Sequence, residues 1–166
     1  VGVDVGCVPW LCGADVFFRK DPDMRGSMAA PCRGVCAEKY RDIRCRADEV
    51  AAIRVWVLRR LIGMERADDV QLAAGELVTN VLKHSGAGEG AIAGQVCLGH
   101  VPDGVVLRVC NPQPHGLLLP AARQPEPEAE SGRGLMLVHA VADAWGTSIG
   151  NGVVTVWAYF VRGGAR

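Results

Sequence analysis

Glu76-Leu77-Val78-Thr79-Asn80 and, further along the chain, Ser131-Gly132-Arg133-Gly134-Leu135 decide how this sequence is read. In the first stretch a carboxylate and a carboxamide stand four residues apart inside an apolar pattern of helical period, so both fall on one helix face. In the second, a Gly-x-Gly turn opens another apolar helix, where backbone N–H groups can face an anion. A candidate general base, a candidate ligand for a hard metal ion and a candidate phosphate cradle together point to nucleotide chemistry. Either stretch alone is a weak signal. Glu and Asn on a helix are ordinarily solvated surface, and Gly and Ser commonly open helices. Their order along the chain joins them.

Working outward from Glu76, the spacing predicts a helix over about 66–84, with Val70, Ala74, Leu77, Val78 and Val81 as its buried stripe. Glu76 and Asn80 are then left toward a cleft or solvent. Ser85-Gly86-Ala87-Gly88 ends that helix. Before it, Tyr40 to Cys45 reads as a short strand. Asp48 is placed to cap a helix to about Ile62 that carries Val50, Ile53, Val57 and Leu61 on one side. After it, strands are expected over about 91–101 and 104–110, joined at Pro102-Asp103-Gly104. Asn111-Pro112-Gln113-Pro114 should stop the second strand. A loop follows to Ser131, rich in proline and carrying Glu126, Glu128 and Glu130, and its place between the two decisive stretches suits a lid. A helix from Gly134 to about Ala144 and strands over about 145–149 and 153–161 complete the pattern. Trp56, Trp145 and Trp157 are expected to anchor the core. The sum is an α+β two-layer sandwich, a mixed or antiparallel sheet with helices on one face.

Bulk properties narrow the function classes. The chain has 166 residues and a net charge of zero, the size of one domain with no general attraction to nucleic acid or an anionic membrane surface. Val1-Gly2-Val3-Asp4 lacks a basic segment followed by an apolar run, and no stretch is long enough to span a bilayer, so a cytoplasmic location is expected. Seven cysteines, an odd number, make a disulfide framework improbable. Cys97 and Cys110 fall in Val-rich strand patterns and read as small core residues. Cys7, Cys12, Cys32 and Cys36 only loosely approach zinc-ribbon spacing, and reduced thiols are the simpler reading. Residues 1–38 are broken by Pro9, Gly13, Pro22, Gly26, Pro31 and Gly34 and are expected to form an irregular extension. No Ser/His/Asp or Cys/His set has supporting context, and His115 and His139 have no metal-like spacing partner.

The chain resembles the histidine-kinase-like ATPase superfamily, the Bergerat or GHKL fold, and within it the short anti-sigma-factor serine kinases and related ATP-binding regulators. Three segments carry the resemblance: Glu76 to His84, similar to the family's N-box; Ser131 to Val138 with Ala142-Asp143-Ala144-Trp145-Gly146, similar to the second glycine box and its helix; and Thr155-Val156-Trp157-Ala158, similar to the last strand. It implies an ATP-binding domain over 39–163, with a lid over about 112–131. It also implies ATP and Mg2+ as ligands, Glu76 as the general base, and Asn80 as the metal ligand. Asn80, Lys83, His84, Asn111, Gly132, Arg133, Gly134, Leu135 and Thr155 would contact the nucleotide, Thr155 at the adenine edge. Implied partners are a sigma factor and/or an anti-sigma-factor antagonist protein, with room for a homodimer and no direct nucleic acid or membrane contact.

The sequence departs from the family at Asn111, where an Asp normally accepts a hydrogen bond from the adenine amino group. An Asn oxygen can still accept, but its NH2 cannot replace the second carboxylate oxygen. A mispaired polar group there costs about 1–3 kcal/mol. Two readings of function follow: an ATP-dependent serine protein kinase acting on an antagonist protein, and a non-catalytic partner-binding module of the same fold. A detached sensor-kinase domain is a third, against which stands the lack of a preceding helical hairpin with a phosphoacceptor His.

Overall fold

The computed structural model describes residues 16–19, 37–112, 133–150 and 152–163. The strands are β1 (Val16–Arg19), β2 (Ala37–Arg44), β3 (Ile92–Val101), β4 (Gly104–Pro112), β5 (Ala144–Gly150) and β6 (Val153–Val161). The helices are α1 (Glu49–Arg60), α2 (Ala67–His84) and α3 (Arg133–Val141). The strands form one sheet in the order β1-β5-β6-β4-β3-β2, and each neighbouring pair is antiparallel. This is the expected α+β sandwich, with the mixed-or-antiparallel alternative resolved as antiparallel.

Alternation along the strands sorts the sheet into two unlike faces. Ile43, Val96, Leu98, Val105, Leu107, Val109, Ala158 and Phe160 point one way and merge with Ile53, Val57 and Leu61 of α1 and its end, Val70, Ala74, Leu77, Val78 and Val81 of α2, and Val138 of α3. Each such aliphatic side chain contributes about 1.5–3 kcal/mol by leaving water, so the helical stripes and strand alternation select one register together. In the helical layer, α2 packs against both α1 and α3. The opposite face carries a smaller cluster of Val106, Ala144, Trp157 and Tyr159. Trp157 is thus buried away from the helices, while Trp56 and Trp145 are half-buried at the edge of the main core.

Several boundaries differ from expectation. Asp48 makes no side-chain cap; its carboxylate pairs instead with Arg46 at 3.2 Å. β4 continues through Asn111 and Pro112, which pair with Val154 and Val153, because a proline at a strand's end forfeits little of the ladder. The last helix stops at Val141 rather than near Ala144. Ala142 N still donates to Val138 O at 2.9 Å, but Asp143 N turns to Tyr159 O at 2.9 Å and begins the path into β5. Within the segment expected to be irregular, Val16–Arg19 adds a strand to the edge of β5. The rest of the lid and of the amino-terminal extension, including Cys7, Cys12, Cys32 and Cys36, lies outside the described residues.

Candidate functional site

α2 supplies the two central side chains. Its buried stripe faces the sheet, and Glu76 and Asn80 fall on the adjoining side, half-buried, toward α3. The opposing surface is the first turn of α3. A Cβ on Gly134 would sit 3.1 Å from Glu76 Oε2 and 3.6 Å from Asn80 Nδ2. Glycine here lets the backbone of a helix N-terminus approach the carboxylate and carboxamide, which a longer side chain would prevent. Among the described residues, the side chains of Glu76 and Asn80 have no hydrogen bond or ion pair within the chain. A half-buried pair left without partners, beside a helix end rich in N–H donors, is suited to a ligand.

Asn111 joins this cleft from the end of β4. It shares strand parity with Val105, Leu107 and Val109, which face the helices. A Cβ on Gly94 would lie 3.3 Å from Asn111 Cβ and 3.2 Å from Val81 Cγ1, and would strike the carbonyl of Cys110. Gly94 therefore lets α2 and the strand end draw together, with Val81 next to Asn80 in the chain. An isolated glycine inside a strand pattern was the available signal for it.

The remaining expected residues divide. Arg133 is exposed at the start of α3, and Leu135 turns its side chain to the core. Lys83 and His84 are exposed in the last turn of α2, where His84 continues the Glu76–Asn80 row. Gly132 and Ser131 lie outside the described residues. Thr155 has the strand parity opposite to that of Asn111. It pairs with Cys110 in the sheet, and its Oγ1 lies 3.3 Å from Cys110 Sγ. Both line a groove of about 300 Å³ at the sheet, with Tyr40, Gln95 and Arg108 and with Asn111 at its end. The position opposite Asn111 is Val154, which has the helix-facing parity of Val156, Ala158 and Phe160. Asn111 and Thr155 thus differ by one residue of strand parity while lining one groove. Cys110, read as a core residue, is half-buried at that groove, and Cys97 is buried beneath it.

Among the described residues no group of three or more His, Cys, Asp or Glu side chains is placed to hold a metal ion. A cation at Asn80 would have to complete its shell with water and a ligand's own oxygens. Mg2+ is normally bound this way, through one or two protein groups plus phosphates. The donor set and the glycine-lined approach therefore fit a magnesium–nucleotide pair.

An antiparallel sheet carrying three helices on one face, with paired polar side chains between two of them, defines the Bergerat class of α+β ATP-binding folds. The model of the histidine kinase-like ATPase domain matches residues 37–160, and the chain belongs to that family. A crystal structure of the RsbU and RsbW domains of Rv1364c from Mycobacterium tuberculosis is similar in fold, with a TM-score of 0.56 and 17% identity. The match covers 76% of this chain and 32% of that one, so this chain corresponds to about a third of that structure. No curated protein sequence matches the chain significantly. Among the described residues no helix is long and apolar enough to cross a membrane.

Proposed function

We propose that the chain is an ATP-binding regulator that acts as a serine protein kinase of the anti-sigma-factor type on an antagonist protein in a partner-switching system. One observation carries the reading: the first turn of α3 comes so close to Glu76 and Asn80 that a Cβ at position 134 would lie 3.1 Å from Glu76 Oε2. Asn80 would ligate Mg2+, and the backbone donors of Arg133, Gly134 and Leu135 would face the phosphates, aided by the helix N-terminus. Lys83 and His84 add positive or donor groups one turn beyond Asn80, and Asn111 accepts from the adenine amino group. Bound Mg2+ supplies neutralisation of charge on the phosphate oxygens during transfer. Glu76 would orient the acceptor hydroxyl and take its proton as that oxygen bonds the γ-phosphorus and the bond from the γ-phosphorus to the β,γ-bridging oxygen breaks to release ADP, so its contribution falls mainly in the transition state. The chemistry needs positioning and electrostatics but no covalent enzyme intermediate.

Asn111 supports a second reading, a partner-binding module that holds nucleotide weakly and transfers nothing. Single-turnover release of ADP and transfer of labelled phosphate to serine acceptors separate the two. On the kinase reading, Glu76→Ala slows turnover by about 10²–10⁴-fold while nucleotide affinity stays near that of the parent. Asn80→Ala instead weakens magnesium-dependent binding itself. Binding of Mg·ATP by a parent chain that releases no ADP, with Glu76→Ala indistinguishable from it, would leave the module reading standing.

A further inference from the structure

Arg66, the residue preceding α2, joins three elements through one guanidinium. Its Nε donates to Asp69 Oδ2 at 3.1 Å within α2. One terminal nitrogen donates to Asp143 Oδ2, and the other to the carbonyl of Val141, the last residue of α3. The guanidinium carbon lies 5.7 Å from the centre of the Phe160 ring in β6. Asp143 Oδ2 also accepts from Val161 N at 2.8 Å. The side chains of Arg66 and Asp69 are almost fully buried, at 12% and 8% exposure. A cation bonded to a terminal carbonyl suits a helix C-terminus.

α3 has nine residues, a rod of about 13 Å. Its carboxyl end is held by Arg66, and its amino end carries Gly134 against Glu76. The apolar contacts of Val138 and Ala142 bury area without direction and leave the helix free to slide along α2. The guanidinium's fixed fork does not, because each donor meets its acceptor at only one axial position. We propose that Arg66 and Asp143 are positioning residues that set the register of α3 on α2, and so the closeness of the α3 first turn to Glu76 and Asn80. The nucleotide half of this inference rests on the function proposed above; the register half does not.

The test uses the full chain with Arg66→Lys and Asp143→Asn, which keep a charge or a shape and so preserve folding, and Ile43→Val as a destabilised control in β2. Hydrogen exchange without ligand and calorimetry with Mg·ATP are read on each. Both positioning variants should speed exchange of the α3 amides by about ten-fold or more while leaving β3 and β4 unchanged, and weaken Mg·ATP binding by about ten-fold or more. Ile43→Val should lower global stability and leave affinity alone. Affinity in Arg66→Lys and Asp143→Asn equal to the parent's, or lowered no more than in Ile43→Val, overturns the proposal. If the parent itself binds no nucleotide, the functional reading falls. Exchange then decides the register claim alone: selective loss of protection in α3 supports it, and unchanged α3 protection overturns it.

Discussion

The two ends of the α2–α3 pair are built on opposite terms. Where α2 begins and α3 ends, Arg66, Asp69, Asp143 and the Val141 carbonyl answer one another, and the backbone N–H of Val161 is satisfied as well. Ten residues further along α2 by residue number, Glu76 and Asn80 turn toward the start of α3, where Gly134 withholds the side chain that would fill the space. Folding accounts for the first end: buried charge is tolerated only with partners. It does not account for the second, where a hydrophobic pair would pack better than a half-buried carboxylate beside a carboxamide. The closed end fixes a geometry that the open end can use.

Substitutions should separate the two ends in a denaturant titration. Asp143→Ala removes one of the two carboxylates that Arg66 meets and leaves the Val161 N–H unpaired, and should cost about 1–3 kcal/mol. Glu76→Gln, at the open end, should change stability by no more than about 0.5 kcal/mol. Comparable losses at both ends would erase the contrast. The smallest effect lies on the far face of the sheet. Burial, together with a hydrogen bond to Asp103 and the nearby Asp103 and Asp143 charges, raises the Tyr159 phenol well above its ordinary range. The folded chain therefore keeps this proton after the unfolded chain releases it, so stability holds below about pH 10 and falls as the pH rises further. Tyr159→Phe should flatten that alkaline decline, as read by unfolding midpoints from neutral pH upward, and an unchanged slope would count against the assignment.

The sequence made the helical layer legible because burial enforces a 3.6-residue period. Val70, Ala74, Leu77, Val78 and Val81, read as a stripe, are all buried, and the remaining side of α2 carries Glu76 and Asn80. The β3–β4 and β5–β6 hairpins were legible from alternation and turn chemistry. Three features were not. Val16–Arg19 is too short, and too closely flanked by breaking residues, to show a period. The Arg66–Asp143 pair spans 77 residues, and a long-range ion pair leaves no local pattern at either partner. The facing of Thr155, opposite in parity to Asn111, is set by the strand's pairing register, which a motif that records residue order alone does not carry.

The proposed function puts a magnesium-bound adenine nucleotide in the cleft between α2 and α3. Titration calorimetry of the full chain with ATP, in Mg2+ and then in EDTA, tests it most directly when repeated on Gly134→Val and Asn111→Asp. Binding heat is expected with Mg2+, and much less in EDTA. No heat is expected from folded Gly134→Val, whose added side chain would crowd Glu76 and Asn80. Asn111→Asp should bind about 10–100-fold more tightly, the value of one well-made polar contact. Absence of heat from both the parent chain and Asn111→Asp, or binding by Gly134→Val equal to the parent's, would contradict it.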